Sequence, residues 1–412
     1  MSDQAPIPGL APRRAALKML DAIFRRGETM DQAGGAANGL PSFADRALSR
    51  ALAGEVLRWL VDLDALIDSA TKNPLPDDAK PRMVLRLMLA GWLRLDTPPH
   101  AVVATGLPLL SGGPKRLAHG VFATLARSNA RLPDAPTLPR DVAERWGEGA
   151  HKIAKGLSQP PPLDLTLREP ADTGEWEEKL GGRSLAPGHV RLPRGTAVEK
   201  LPGFQEGAWW VQDLAATIPA RLLGTGEGRR VLDLCAAPGG KSLQLASAGW
   251  RVTSLDNSSR RLERLRQNLA RTGLDAEIVE ADVMGWHPDA LYDAILLDAP
   301  CTATGTLRRN PDVIHRIAER QIAAMADLQG QMLARAVNWL QPGGRLVYAV
   351  CSLERAEGEA IAASCNLAPV PVAARELPAG LQPSANGQVR TDPGMLAEVG
   401  GLDGFFVARF QG

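Results

Sequence analysis

The sequence predicts an α/β fold, a mostly parallel sheet with helices on both faces, preceded by an all-helical region. Three observations predict it. From about residue 230, five short apolar runs, RRVLDL, WRVTSLD, AEIVEAD, YDAILLD and GRLVYAV, each end near a polar residue. Helical stretches such as SSRRLERLRQNLARTG and RQIAAMADLQGQMLARAVNWL separate them, and this alternation marks repeated strand–helix units. Before residue 130 the apolar residues instead recur at helical spacing throughout.

Taken in order, the first region (residues 1–130) carries that spacing in RRAALKMLDAIF, in the long run FADRALSRALAGEVLRWLVDLDALIDSA and in KPRMVLRLMLAGWLRL. Ser42 with Asp45 is placed to start the second of these helices. A further helix follows Pro114 in KRLAHGVFATLARS. In this region 16 Lys and Arg stand against 12 Asp and Glu, an excess of +4 that hints at a polyanion partner. Residues 131–165 form a proline-rich connector, PDAPTLP and SQPPPL bracketing a short helical stretch. Residues 166–229 read as a small α/β lead-in, and residues 230–412 as the sheet domain.

Composition limits the function classes. A chain of 412 residues has room for two or three domains, and 45% apolar residues suffice for ordinary cores. Net charge is +1, so any nucleic-acid surface must be local. The four cysteines, at 235, 301, 351 and 365, include no C-x-x-C pair, and the six histidines are scattered, which argues against a metal site. Unpaired cysteines suit a reducing cytoplasm. The first residues, MSDQAPIPGLAPRR, lack the apolar core of a leader, and no run reaches the ~18–20 apolar residues of a membrane span. A cytoplasmic protein, monomeric and without membrane contact, is expected.

The chemistry begins at Asp233-Leu-Cys-Ala-Ala-Pro-Gly-Gly-Lys-Ser242. It ends like a P-loop, but the glycine that loop requires is replaced by Cys235, and Pro238 has no N–H to give a phosphate. Gly239 and Gly240 still let the backbone approach a ligand closely. The next strand ends in Asp256, placed to accept bonds from ribose hydroxyls, and the third ends in Asp282, placed to reach an adenine. No G-x-G-x-x-G is present. An adenosine without polyphosphate fits, and S-adenosylmethionine is such a molecule.

The fourth strand ends in Asp298-Ala-Pro-Cys301 and the fifth in Val350-Cys351-Ser352. Two thiols therefore share the cofactor's crevice. A thiolate is a soft nucleophile that adds to carbon 6 of a pyrimidine, and that addition makes carbon 5 electron-rich enough to take a methyl group. Amino-group methylation needs no thiol.

DLCAAPGGKS, DAPCTATGTLRRNPD, YAVCS and the terminal DGFFVARF resemble the motifs of the RNA 5-methylcytosine methyltransferases, the NOL/NOP/Sun family. The helical part resembles a NusB-like RNA-binding domain, a pairing typical of the bacterial RsmB-type enzymes that act on small-subunit ribosomal RNA. The resemblance implies a Rossmann-like, seven-stranded S-adenosylmethionine-dependent domain and makes Cys351 the nucleophile. It makes Cys301 the thiol that assists product release. It places Cys235, Ala236, Ala237, Pro238, Gly239, Gly240, Lys241, Asp256, Asp282 and Asp298 at the cofactor, with Lys241 and Asp298 also facing the cytosine. Where the family often has Glu-Asn-Glu, this chain has Glu357-Gly358-Glu359, whose role stays open. Arg308 and Arg309 are candidates for RNA phosphates, Trp209 and Trp210 are expected in a core, and Cys365 is expected to pack. Two other readings remain: the same chemistry on transfer RNA, and a non-catalytic RNA-binding assembly factor, which would need neither thiol.

Overall fold

A computed structural model of the chain describes residues 7–412. The leader reading rests partly on residues 1–6, which lie outside the described residues. The chain divides into two compact units, Met1–Ser158 with Arg309–Arg316, and Gln159–Arg308 with Ile317–Gly412.

The first unit is helical. Leu10–Arg26 ends at Gly27, whose left-handed φ of 67° lets its N–H cap the Ala22 and Ile23 carbonyls. Ser42 starts the next helix as expected, accepting the Asp45 N–H at 2.9 Å. The long run predicted as one helix is broken, into Phe43–Arg58 and Leu60–Ser69. The break falls at Trp59, whose indole is buried beneath the Arg94 guanidinium, 4.8 Å from the ring centroid. Lys80–Arg94, Pro99–Gly106 and Gly112–Arg127 complete the bundle. Its core is built on apolar side chains, with Met19, Leu20, Leu52, Val56, Leu63 and Leu89 fully buried, each such side chain worth about 1.5–3 kcal/mol of transfer free energy. Several of the basic residues are internal. Arg82 pairs with Asp68 at 2.6 and 2.8 Å and Arg86 with Asp64 at 2.7 and 2.8 Å, both arginines buried. Each such pair withdraws one charge of each sign, so the +4 excess is carried by the other charged residues. The short segment Arg309–Arg316 belongs to this unit, where buried His315 lies 2.7 Å from the Leu57 carbonyl oxygen.

The second unit opens with an antiparallel sheet of β1 (Leu163–Leu167), β2 (His189–Leu192) and β3 (Trp209–Val211), in the order β2-β1-β3. Asp164 on β1 and Arg191 on β2 face each other in register and are joined by two hydrogen bonds of 2.6 and 2.7 Å. Trp209 and Trp210 are buried, as expected of core residues. The large sheet comprises β4 (Arg230–Leu234), β5 (Arg251–Asp256), β6 (Glu277–Glu280), β7 (Tyr292–Asp298), β8 (Leu340–Val350), β9 (Ala368–Pro369), β10 (Val389–Thr391) and β11 (Phe405–Gln411). Its order is β10-β11-β8-β7-β4-β5-β6, seven strands, with two-residue β9 beside β11. β4 to β8 are parallel, while β11 runs antiparallel to β8 and β10 antiparallel to β11. Winding reverses between β4 and β7, and sheets of this kind bind ligands beyond the carboxyl ends of the strands at such a point.

Candidate active site

The acids and thiols of the site sit at or just past strand ends, and Lys241 stands at the start of the helix that follows β4. β4 runs into Cys235, which adopts a left-handed φ of 62°, and the loop turns into the helix Gly240–Ser247 through Gly239 at φ 107°. A Cβ at Gly239 would collide with the Leu265 side chain, so the turn accepts only glycine. The loop is fastened by its neighbours. The Ala237 N–H donates to Asp256 at 3.2 Å, Arg261 donates to the Ala237 carbonyl, and Asn268 donates to the Pro238 carbonyl at 3.2 Å.

A cavity of about 500 Å³ opens beside this loop, within the range of small-molecule sites. Cys235, Asp256, Asp282, Asp298, Cys301 and Cys351 line it. Ala281, Val283, Met284, Pro300, Leu328 and Met332 give it an apolar wall. Ala236, Ala237, Pro238, Gly239, Gly240 and Lys241 do not line it; they shape the turn around it. Asp256 closes β5, its carboxylate held by the Ser258 N–H at 2.9 Å and the Ala237 N–H, with Arg261 at 3.6 Å. A carboxylate offers about four acceptor positions, so ribose hydroxyls can still be received. Asp282 does not end its strand: β6 stops at Glu280, and Asp282 lies exposed in the turn beyond, accepting the Met284 N–H at 2.8 Å.

Lys241 and Asp298 meet, Nζ to Oδ2, at 2.7 Å. Burial alone would lower the pKa of the Lys241 ammonium, but the Asp298 charge and hydrogen bond, together with the nearby Cys351, outweigh it and the net shift is upward. The two thiols meet as well: Cys301 Sγ lies 3.4 Å from Cys351 Sγ. That hydrogen bond, with burial added, pushes the Cys301 thiol well above its ordinary range, so Cys301 keeps its proton. Burial does the same to Cys235.

Asp233 lies inside β4, fully buried. Its Oδ2 accepts the Ser242 hydroxyl at 2.5 Å, and its Oδ1 has no partner among the described residues. Burial pushes this carboxyl from 3.8 up to about 7, against the pull of the Ser242 hydrogen bond. The unfolded chain releases this proton near 3.8 and the folded chain near 7, so between those values the native state holds the extra proton and loses stability as pH rises. Asn cannot titrate. Wild type should therefore lose about 1.4 kcal/mol per pH unit relative to Asp233→Asn across that window. Urea unfolding of both at about pH 5 and about pH 7 checks this, and a difference that does not move with pH refutes it.

Two expectations need correcting or extending. Arg308 cannot hold an RNA phosphate, because it is buried and donates to the Gly400 carbonyl; Arg309 is exposed. Arg261 and Glu357 went unassigned on the sequence. Arg261 lines the cavity, and its place in the first turn of the helix Ser259–Thr272, which follows the strand closed by Asp256, was the available signal.

Residues 220–411 match the family model described as 16S rRNA methyltransferase RsmB/F, and residues 10–109 match the NusB family. A curated relative from Xanthomonas campestris pv. campestris, named ribosomal RNA small subunit methyltransferase B, is 34% identical over 389 residues, 87% of this chain and 88% of its own length. The chain belongs to the 16S rRNA methyltransferase RsmB/F family. A same-named relative of this RsmB/F member, from Klebsiella pneumoniae subsp. pneumoniae, is 34% identical over 96% of this chain and 97% of its own. A solved structure titled a methyltransferase homolog protein from Pyrococcus horikoshii superposes with a TM-score of 0.56 at 25% identity, covering 70% of this chain and 97% of that one. Membership makes this RsmB/F chain an RNA methyltransferase whose methyl donor is S-adenosylmethionine. No helix among the described residues is long and apolar enough to cross a membrane, and no group of three His, Cys, Asp or Glu among them is placed to hold a metal ion.

Proposed function

We propose that this chain methylates carbon 5 of a cytosine in small-subunit ribosomal RNA through a covalent bond between Cys351 and the base. The observation that carries the reading is the pair of thiols 3.4 Å apart beyond the ends of neighbouring strands β7 and β8, lining the cavity that Asp256, Asp282 and Asp298 also line. S-adenosylmethionine, when bound, supplies an electrophilic methyl group.

The chain's own residues supply the rest. The Cys351 thiolate adds to carbon 6; a sulfur–carbon bond forms and the ring's electron pair moves to carbon 5, making it the nucleophile. After carbon 5 is methylated, a solvent base takes its proton, the pair of that C–H bond re-forms the double bond between carbons 5 and 6, and the bond from carbon 6 to the Cys351 sulfur breaks, its electrons leaving with the sulfur. Cys301, kept protonated, stands where its S–H can donate to the departing sulfur and so ease elimination. Asp298 and the Lys241 ammonium face the polar edge of the cytosine. Asp256 receives the ribose hydroxyls, Asp282 lies on the adenine side, and Cys235 to Gly240 form the turn against which the cofactor rests. The helical part, which matches NusB, docks the RNA. The enzyme works as a cytoplasmic monomer, where its ribosomal substrate is made.

Bisulfite sequencing of ribosomal RNA from cells with and without this protein tests the reading. One small-subunit cytosine should lose its protection in the deletion strain; an unchanged ribosomal RNA, or a loss confined to transfer RNA, overturns it. For the donor site, Asp256→Ala should weaken S-adenosylmethionine binding by ~1.5–3 kcal/mol, the scale of hydrogen bonds to a charged group. Calorimetry showing unchanged affinity removes Asp256 from the site.

A further inference from the structure

We infer that Glu357 is a positioning residue whose buried carboxylate clamps the Cys301 loop to the end of β8 and so holds the two sulfur atoms side by side. The inference rests on the proposed two-thiol chemistry and gives the Glu357-Gly358-Glu359 segment a role.

Glu357 is fully buried and is not among the residues lining the cavity. It can act only through its neighbours, and those neighbours flank both thiols. Oε1 accepts the Thr302 N–H at 2.8 Å and the Gln329 amide at 3.1 Å. Oε2 accepts the Thr302 hydroxyl at 2.5 Å and the Ser352 hydroxyl. Thr302 follows Cys301, and Ser352 follows Cys351. Four donors thus converge on a group that only accepts, which fills its acceptor positions. Burying a carboxylate is unfavourable unless it is satisfied in this way, and here the satisfaction comes almost wholly from the two thiol-bearing loops.

The surroundings point the same way. Gln329 also donates to the Pro300 carbonyl at 2.8 Å, so it grips the residue before Cys301 as Glu357 grips the residue after it. Tyr348, on β8, donates to the Glu357 carbonyl at 2.5 Å and ties the clamp to the strand that leads into Cys351. Arg390 donates to the Ser352 carbonyl at 2.6 Å and is itself held by Glu359 at 3.1 Å. The Gly305 N–H donates to the Cys351 carbonyl at 3.0 Å, an approach so close that a Cβ at Gly305 would strike the Gly404 and Cys351 carbonyls. The bonds from Thr302 and Ser352 to Glu357 and from Gly305 to Cys351 fix the height of one loop against the other, the coordinate that sets the sulfur–sulfur distance, and the remaining contacts brace each loop from behind.

The test begins without RNA. Diamide takes the two thiol hydrogens of a close cysteine pair and leaves a disulfide, and peptide mass spectrometry of the full chain follows the Cys301–Cys351 link. Glu357→Ala should form that link on the order of tenfold more slowly than wild type, and in turnover should lower kcat about 10- to 100-fold, the scale of a displacement near 1 Å. KM for RNA and the affinity for S-adenosylmethionine should stay within about twofold, the pattern of a loss felt in the reaction and not in binding. A protein–RNA adduct should accumulate. Glu357→Gln should recover most of the wild-type rates, because its amide can face the Thr302 and Ser352 hydroxyls, which rotate to accept. Thr302→Val, a milder lesion, should slow the link about threefold by removing one of the bonds to the carboxylate; it decides the matter if the alanine variant fails to fold. Wild-type disulfide rates with no adduct, in Glu357→Ala or failing that in Thr302→Val, overturn the clamp. A slowed link in a protein whose wild type methylates no cytosine leaves the clamp standing and removes the carbon-5 reading instead.

Discussion

Cys351→Ala is expected to lose turnover by at least ~10⁴-fold, the scale seen when an enzyme's attacking atom is deleted. The thiolate must bond to carbon 6 before carbon 5 can accept a methyl group, so no later step can stand in for it. The variant should still bind S-adenosylmethionine, because the acids at the ends of β5 and β7 and the turn at Gly239 do not depend on this sulfur. It should form no covalent complex with RNA. Its mount is a rigid one, because Val350 ends β8 in register with Phe406 of β11, so the attacking atom projects from a paired strand and not from a free loop. Radiolabel transfer measures the loss, and denaturing gel electrophoresis reports the adduct. An adduct formed by Cys351→Ala would exchange the roles of the two cysteines.

Cys301→Ala should fail later. Attack and methylation proceed, but the leaving sulfur no longer has an S–H within 3.4 Å to donate to it. Product release should slow about 10²–10⁴-fold, the range for removing a positioned proton donor, and a protein–RNA complex that survives denaturation should build up. It should do so only with S-adenosylmethionine and a cytosine-bearing RNA together. Full activity in both cysteine variants would remove thiol chemistry altogether.

The strand ends were legible because each apolar run stops at a residue whose chemistry differs from the run: Asp256, Asp298 and Cys351 close β5, β7 and β8 within one residue. Asp282 was misplaced by two residues because β6 stops at Glu280 and is only half-buried, so the run AEIVEAD carries little periodic contrast. The helix break at Trp59 was hidden for the opposite reason: helical spacing continues through it, so the periodic pattern carries no mark of the residue where the backbone leaves the helix. Arg308 looks like a surface residue in TLRRNPD, yet its acceptor, the Gly400 carbonyl, lies 92 residues further on. Gln329 and Glu357 share that difficulty. Gln329 reaches Pro300, 29 residues away, and Glu357 reaches Thr302, 55 residues away; only the Ser352 bond, five residues back, is local. What sequence reading captured was chemistry at strand ends; what it missed was the long-range hydrogen bonding that sets one strand end against another.

The place of β11 has a consequence in time. It lies between β8 and β10, and its residues Phe406 to Gln411 pair with Val350 back to Arg345. Synthesis reaches Cys351 long before it reaches that strand. At ~5–20 residues per second the 60 residues that separate Cys351 from Gln411 occupy the ribosome for about 3–12 s. Throughout that interval both thiols have been made, yet β8 is an unpaired apolar edge of the kind that invites association with other chains. A nascent chain therefore carries both thiols before it carries the strand that pairs with the end of β8, and the arrival of β11 closes that edge.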